Sequence, residues 1–141
     1  MSFSQKFRIS EYRITQVGSW IISLRPTQVT LGSLVLSLQR DCSNIADLTE
    51  TESQDLGQSF KVIQRLFEKT FNPQKINYLL LMMVDNQVHF HVIPRYEQPV
   101  IFMNKVYPDK YFPKPVDITN SLELNESDFL EILSHYKRTI K

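Results

Sequence analysis

Apolar positions along this chain follow two rhythms, a strand-like alternation and a helical 3.6-residue period, in an order that sketches the fold. Residues 12–16 and 19–24 predict two short strands joined through Val17 and Gly18. Arg25-Pro26-Thr27-Gln28 reads as a loop, because proline removes a backbone donor and pushes its neighbour out of the helical region. After Gly32, residues 34–38 form an apolar run predicting a well-buried strand. Thr49 and Glu52 then fit a capping box. Behind it Leu56, Phe60, Ile63, Phe67 and Phe71 mark one helical face, which Leu66 widens and Pro73 ends.

Residues 78–84 are apolar throughout, and residues 88–93 alternate apolar side chains with histidine. Asp85 and Asn86 between them suit a two-residue hairpin, since both types tolerate positive φ. Residues 100–103 suggest a further strand, and Pro108, Pro113 and Pro115 make the next stretch irregular. A last helix starts at Asn125 as its cap, with Phe129, Leu133, Tyr136 and Ile140 on one face. The expected class is α+β: an antiparallel sheet with one long helix packed on it and a C-terminal helix.

At 141 residues the chain is expected to form one domain spanning 1–141. Its 42% hydrophobic and 22% charged content is ordinary for a folded protein. A net charge of +1 gives no whole-molecule field toward nucleic acid or an acidic membrane, so any anion must be recognised locally. One cysteine, Cys42, rules out a disulfide within the chain and suits a reduced, cytoplasmic setting. Residues 1–12 lack the apolar run of a signal peptide, and no stretch approaches the roughly 18 apolar residues that span a bilayer. A cytoplasmic protein without membrane or nucleic-acid partners is expected.

In a two-residue hairpin Val84 would face Gln87, Met82 would face His89, Leu80 would face His91 and Tyr78 would face Ile93. The opposite face, with Leu79, Leu81, Met83, Val88, Phe90 and Val92, would be the floor for the long helix. The histidine face carries large apolar groups beside two imidazoles, so a ligand, a subunit or a chain segment should cover it. Neutral imidazole is a nucleophile, and imidazolium can stabilise a phosphate or protonate a leaving group. The same spacing could chelate zinc, but no third ligand follows at a suitable spacing, so neither metal nor cofactor is expected.

The run Val88-His89-Phe90-His91-Val92-Ile93-Pro94-Arg95 resembles the motif of the histidine triad superfamily, in which histidines alternate with apolar residues on a strand and Pro-Arg often follows. The order of the upstream elements is similar too, so the resemblance covers about residues 20–96, leaving 97–141 as a C-terminal extension. The pattern is nearest to bacterial members of the superfamily and to diadenosine polyphosphate hydrolases.

This resemblance implies a nucleotide hydrolase or nucleotidyl transferase acting at an α-phosphorus. His89, matching the central histidine, would form a covalent nucleotidyl-histidine; His91, matching the third, would contact phosphate oxygens and assist the leaving group. Gln87 stands where the family has its first histidine, Arg25 where a polar side chain holds the ribose, and Ser33 where a histidine follows the glycine. With Arg95 these are the expected substrate-binding residues. Asp85-Asn86 replaces a glycine-rich phosphate-binding stretch. The substrate would be a small nucleotide or dinucleotide, and a homodimer is expected by resemblance. The alternative is a nucleotide-binding or interaction module of the same fold with impaired catalysis.

Overall fold

The computed structural model describes residues 1–141. A short helix, α1 (Phe3–Lys6), precedes β1 (Arg13–Val17), β2 (Trp20–Leu24) and β3 (Leu34–Leu38). A 3₁₀ turn at Ile45–Asp47 leads into the long helix α2 (Glu50–Glu68). There follow β4 (Lys75–Leu79), β5 (His89–Arg95), a hairpin of β6 (Val100–Phe102) and β7 (Lys105–Tyr107), and α3 (Glu126–Ile140). The main sheet is antiparallel in the order β1-β2-β3-β5-β4. This is the α+β architecture expected from the sequence. No helix is long and apolar enough to cross a membrane.

Alternation along the central strands divides the sheet into two faces. Trp20, Ile22, Leu24, Leu34, Leu36, Leu38 and Val92 join Ile63, Leu66 and Phe67 of α2 and Phe129, Ile132, Leu133 and Tyr136 of α3 in the main core. The capping box of α2 is present: Glu52 N–H donates to Thr49 Oγ1 (3.1 Å), and Thr49 N–H donates to Glu52 Oε1 (2.9 Å). Trp20, fully buried, ties β2 to this helix by donating its indole N–H to Glu52 O (2.8 Å). Gly32 sits at φ +90°, where a Cβ would clash with the Tyr136 hydroxyl; that hydroxyl donates to Gly32 O (2.8 Å) and docks α3.

The other face is covered by the chain's own first residues. Phe7 and Ile9, with Phe3 beside them, form a small second core against Ile21 and Val35. The sequence demanded a cover for the histidine face, and a chain segment supplies it.

The expected hairpin at Asp85-Asn86 is not formed. β4 ends at Leu79, and the observed register pairs Tyr78 with Val92 and Leu79 with His91, one residue away from the expected alignment. Because side chains alternate, this slip exchanges the two faces of β4. Tyr78 packs its ring on Phe60 of α2 with centroids 4.7 Å apart, and Leu79 takes the histidine side. The run 78–84 is apolar at every position, so nothing in it specifies the phase. Met82 adopts a left-handed φ of +53°, and residues 80–88 leave the sheet as a loop.

The strand expected at 100–103 has a partner the sequence did not reveal. β6 and β7 turn through Met103 and Asn104, both at positive φ.

Candidate functional site

His89 and His91 lie on the face of β5 opposite Phe90 and Val92, beside Ser37 and Val35 of β3. Their rings meet edge to face, with centroids 4.9 Å apart. Both border a cavity of about 530 Å³ lined also by Lys6, Phe7, Arg25, Thr27, residues 81–85, Ile118 and Thr119. Four stretches remote in sequence build it: the N-terminal segment, the loop after β2, the loop after β4 and the C-terminal tail. The tail is held there by Asn120 Nδ2 donating to Val29 O (3.2 Å) and by Leu122 N–H donating to Gln28 O (2.8 Å).

Hydrogen bonds fix the protons of the two rings. His89 Nδ1 lies 2.6 Å from Gln87 O, which can only accept, so Nδ1 carries a proton, and in the neutral ring Nε2 keeps its lone pair. His91 Nδ1 faces Arg25 Nε at 3.2 Å; a guanidinium can only donate, so this nitrogen accepts and the proton sits on Nε2. The neighbouring imidazoles are therefore held in opposite tautomers. One offers an electron pair and the other an N–H.

Burial disfavours the charged form of both rings. Burial holds the His89 pKa below the ordinary histidine value, partly offset by the bond to Gln87 O. Burial, then the charges of Arg25 and His89, push His91 down to about 4. Phe3 and Phe7 lie against His89, their rings 4.7 and 5.6 Å from its own. Lys6 Nζ donates to Asp85 Oδ2 (2.9 Å), joining the N-terminal segment to the loop after β4.

Of the residues singled out from the sequence, His89, His91 and Arg25 come together at the cavity. The Gln87 side chain does not: its Nε2 donates to Leu38 O (2.8 Å) and Arg40 O (2.7 Å), and its Oε1 accepts from Cys42 N (3.1 Å). Only its backbone oxygen serves the histidines. Ser33 is fully buried, its hydroxyl donating to Thr30 O (2.7 Å). Arg95 pairs with Asp109 (2.7 Å) and donates to Asn77 Oδ1 (2.9 Å) and Lys114 O (2.8 Å), anchoring the tail in a different region. Neither Ser33 nor Arg95 borders the histidine cavity.

Asp85, read from the sequence as a turn residue, lines the cavity, and so do Lys6, Phe7, Thr27 and Thr119, which were not singled out. Their sequence surroundings carry no motif, and their shared location is set by topology alone. No group of three or more His, Cys, Asp or Glu side chains is placed to hold a metal ion.

The HIT domain family model matches residues 25–98, just over half the chain. A search of curated proteins by sequence gives no match. Among solved structures, a histidine triad protein from Bradyrhizobium japonicum superposes with a TM-score of 0.71 at 20% identity, covering 95% of each chain. One from Marinobacter aquaeolei gives 0.74 at 14% identity, over 99% of this chain and 95% of the other. A diadenosine triphosphate hydrolase from Plasmodium falciparum gives 0.61 at 11% identity, over 92% and 74%. At these identities the likeness concerns the fold.

Proposed function

The chain belongs to the HIT domain family, and from that premise we propose that it transfers or hydrolyses nucleotides at an α-phosphorus, with His89 as the nucleophile. The observation carrying this reading is the His89 tautomer, with Nδ1–H committed to Gln87 O and the Nε2 pair left for reaction. In the first step that pair forms a P–N bond and the leaving group departs with the electrons of the bond that breaks. In the second, water attacks phosphorus and the P–N electrons return to Nε2. Two displacements replace one difficult one.

The rest of the cavity supports the same reading. Arg25 brings a cation to the imidazoles without help from net charge. His91 offers its Nε2–H to a phosphate oxygen, a role that strengthens as charge develops. The apolar side chains of Leu81, Met82, Val84 and Ile118 give a nucleoside a non-polar seat. The fold shared with a diadenosine triphosphate hydrolase makes dinucleoside polyphosphates natural first substrates to try.

A second reading, a nucleotide-binding module without turnover, is favoured by the cover on His89, which is only 2% exposed, and by Gln87 in place of a titrating side chain. One experiment separates the two. Protein is incubated with an α-³²P-labelled dinucleotide and quenched in base, where a nucleotidyl-histidine survives. Label retained by the wild type and lost in His89→Ala supports transfer. Binding with neither label nor turnover supports the module.

A further inference from the structure

Arg25 is more than nine-tenths buried yet meets no carboxylate. Its Nε donates to His91 Nδ1 (3.2 Å), its Nη1 to Thr27 O (2.6 Å), and its Nη2 has no partner in the protein. A buried cation without a counter-charge is unfavourable unless something anionic joins it. The loop that carries it is rigidly tied. Gln28 Oε1 accepts from Gly32 N (2.7 Å) and Ser33 N (3.0 Å), its Nε2 donates to Arg25 O (2.7 Å), and Thr30 Oγ1 donates to Pro94 O (2.6 Å).

Resting on the nucleotidyl-transfer reading, we infer that Arg25 is a positioning residue that locks His91 as a neutral Nε2–H donor, so that the site suits phosphoanhydrides, whose leaving group departs as an anion, over phosphoramidates, whose amine must be protonated.

Protonating His91 would place a proton on Nδ1, against the guanidinium that already donates to it. The charged and titratable groups around the ring are Arg25 from the loop after β2, His89 on the same strand, Asp85 from the loop after β4 and Lys6 from α1. Arg25, His89 and Lys6 all oppose a second proton, and the one carboxylate, Asp85, is bonded to Lys6 at 2.9 Å. His89 has its only proton on Nδ1, held by Gln87 O. Neither imidazole therefore has an acidic proton to deliver to a leaving group.

For an anhydride none is required. The His89 Nε2 pair forms the P–N bond, and the bond from phosphorus to the bridging oxygen breaks. Its electron pair leaves with that oxygen as a phosphate or nucleoside-phosphate anion, a charge suited to the fixed cation and free Nη2 of Arg25. Water then displaces the histidine, and its proton passes to solvent. For an amidate, the same first step would leave the electron pair on nitrogen as an amide anion unless a proton arrived with it.

The test compares an α-³²P-labelled diadenosine triphosphate with an α-³²P-labelled adenosine 5′-phosphoramidate in single-turnover labelling of the whole chain, wild type and Arg25→Gln. Long-range ¹H–¹⁵N NMR reads the histidine tautomers in parallel. The anhydride is expected to label His89 at least about 100-fold faster than the amidate, the scale of a missing general acid. Arg25→Gln is expected to slow anhydride labelling by roughly 10²–10³-fold and to let His91 titrate nearer the ordinary histidine value. Equal or faster labelling by the amidate overturns the inference alone, as does a proton on His91 Nδ1 in the wild type. No labelling by either substrate overturns the transfer reading, and this inference with it. The wild-type substrate ratio and tautomer do not depend on the variant folding.

Discussion

The ring of Phe3 lies against the imidazole of His89 with centroids 4.7 Å apart, so a residue from the first turn of the chain sets the environment of a side chain on the fifth strand. Phe7 completes the cover, 5.6 Å from His89 and 6.1 Å from His91. Burial is the main cause of the lowered His89 pKa, and removing the cover should reverse it. In Phe3→Ala, NMR titration should show the His89 pKa moving up toward the ordinary value with the fold intact. In Phe7→Ala the same rise should come with a stability loss of about 3 kcal/mol, because Phe7 anchors the second core. An unchanged His89 titration in both variants would mean that the aromatic rings do not desolvate it.

Gln87 separates a side-chain role from a backbone one. Its amide satisfies two carbonyls and one N–H where β5 begins beside the end of β3, while its backbone oxygen orients His89. Gln87→Ala should lower stability by roughly 2 kcal/mol, measured by urea unfolding, as those groups lose their partners. His89 should keep its Nδ1–H tautomer in ¹⁵N spectra, since the oxygen that holds it remains. A tautomer change at preserved fold would tie the side chain to the site after all.

His91 links pH to stability. Its pKa is about 4 in the folded chain against an ordinary 6.5, so as pH falls the unfolded chain takes up the proton first. Stability from this group is complete above about pH 6.5 and is lost as pH falls toward about 4. His89, also lowered, acts in the same direction. The loss attributable to His91 should be roughly 2 kcal/mol, and His91→Asn should flatten the curve over that interval. Urea midpoints collected across the range test this, and parallel curves for the two proteins would refute it.

Much of the fold was legible because the signals are local. Thr49 and Glu52 announce the start of α2 three residues apart, and Asn125 announces α3 in the same manner, accepting from Asp128 N (2.7 Å). The histidine alternation on β5 also fixes which side of that strand faces the helices. The candidate site was legible only at this strand and at Arg25. The roles expected of Gln87, Ser33 and Arg95 came from alignment with a motif, and a motif carries no information on where an amide, a hydroxyl or a guanidinium finds its partners.

Taken alone, the amino-acid order determined the succession of strands and helices, the caps, and the pair of imidazoles on one side of β5, because each depends on residues within a few positions of one another. The tertiary structure decided the register of β4, the placement of Phe3 and Phe7 over the histidines and the bond from Arg25 to His91 across 66 positions. An unbroken apolar run satisfies either face of a sheet equally, and only packing against Phe60 selects one. Contacts between distant segments depend on the strand order that closes the sheet, and that order is written in no single stretch of the chain.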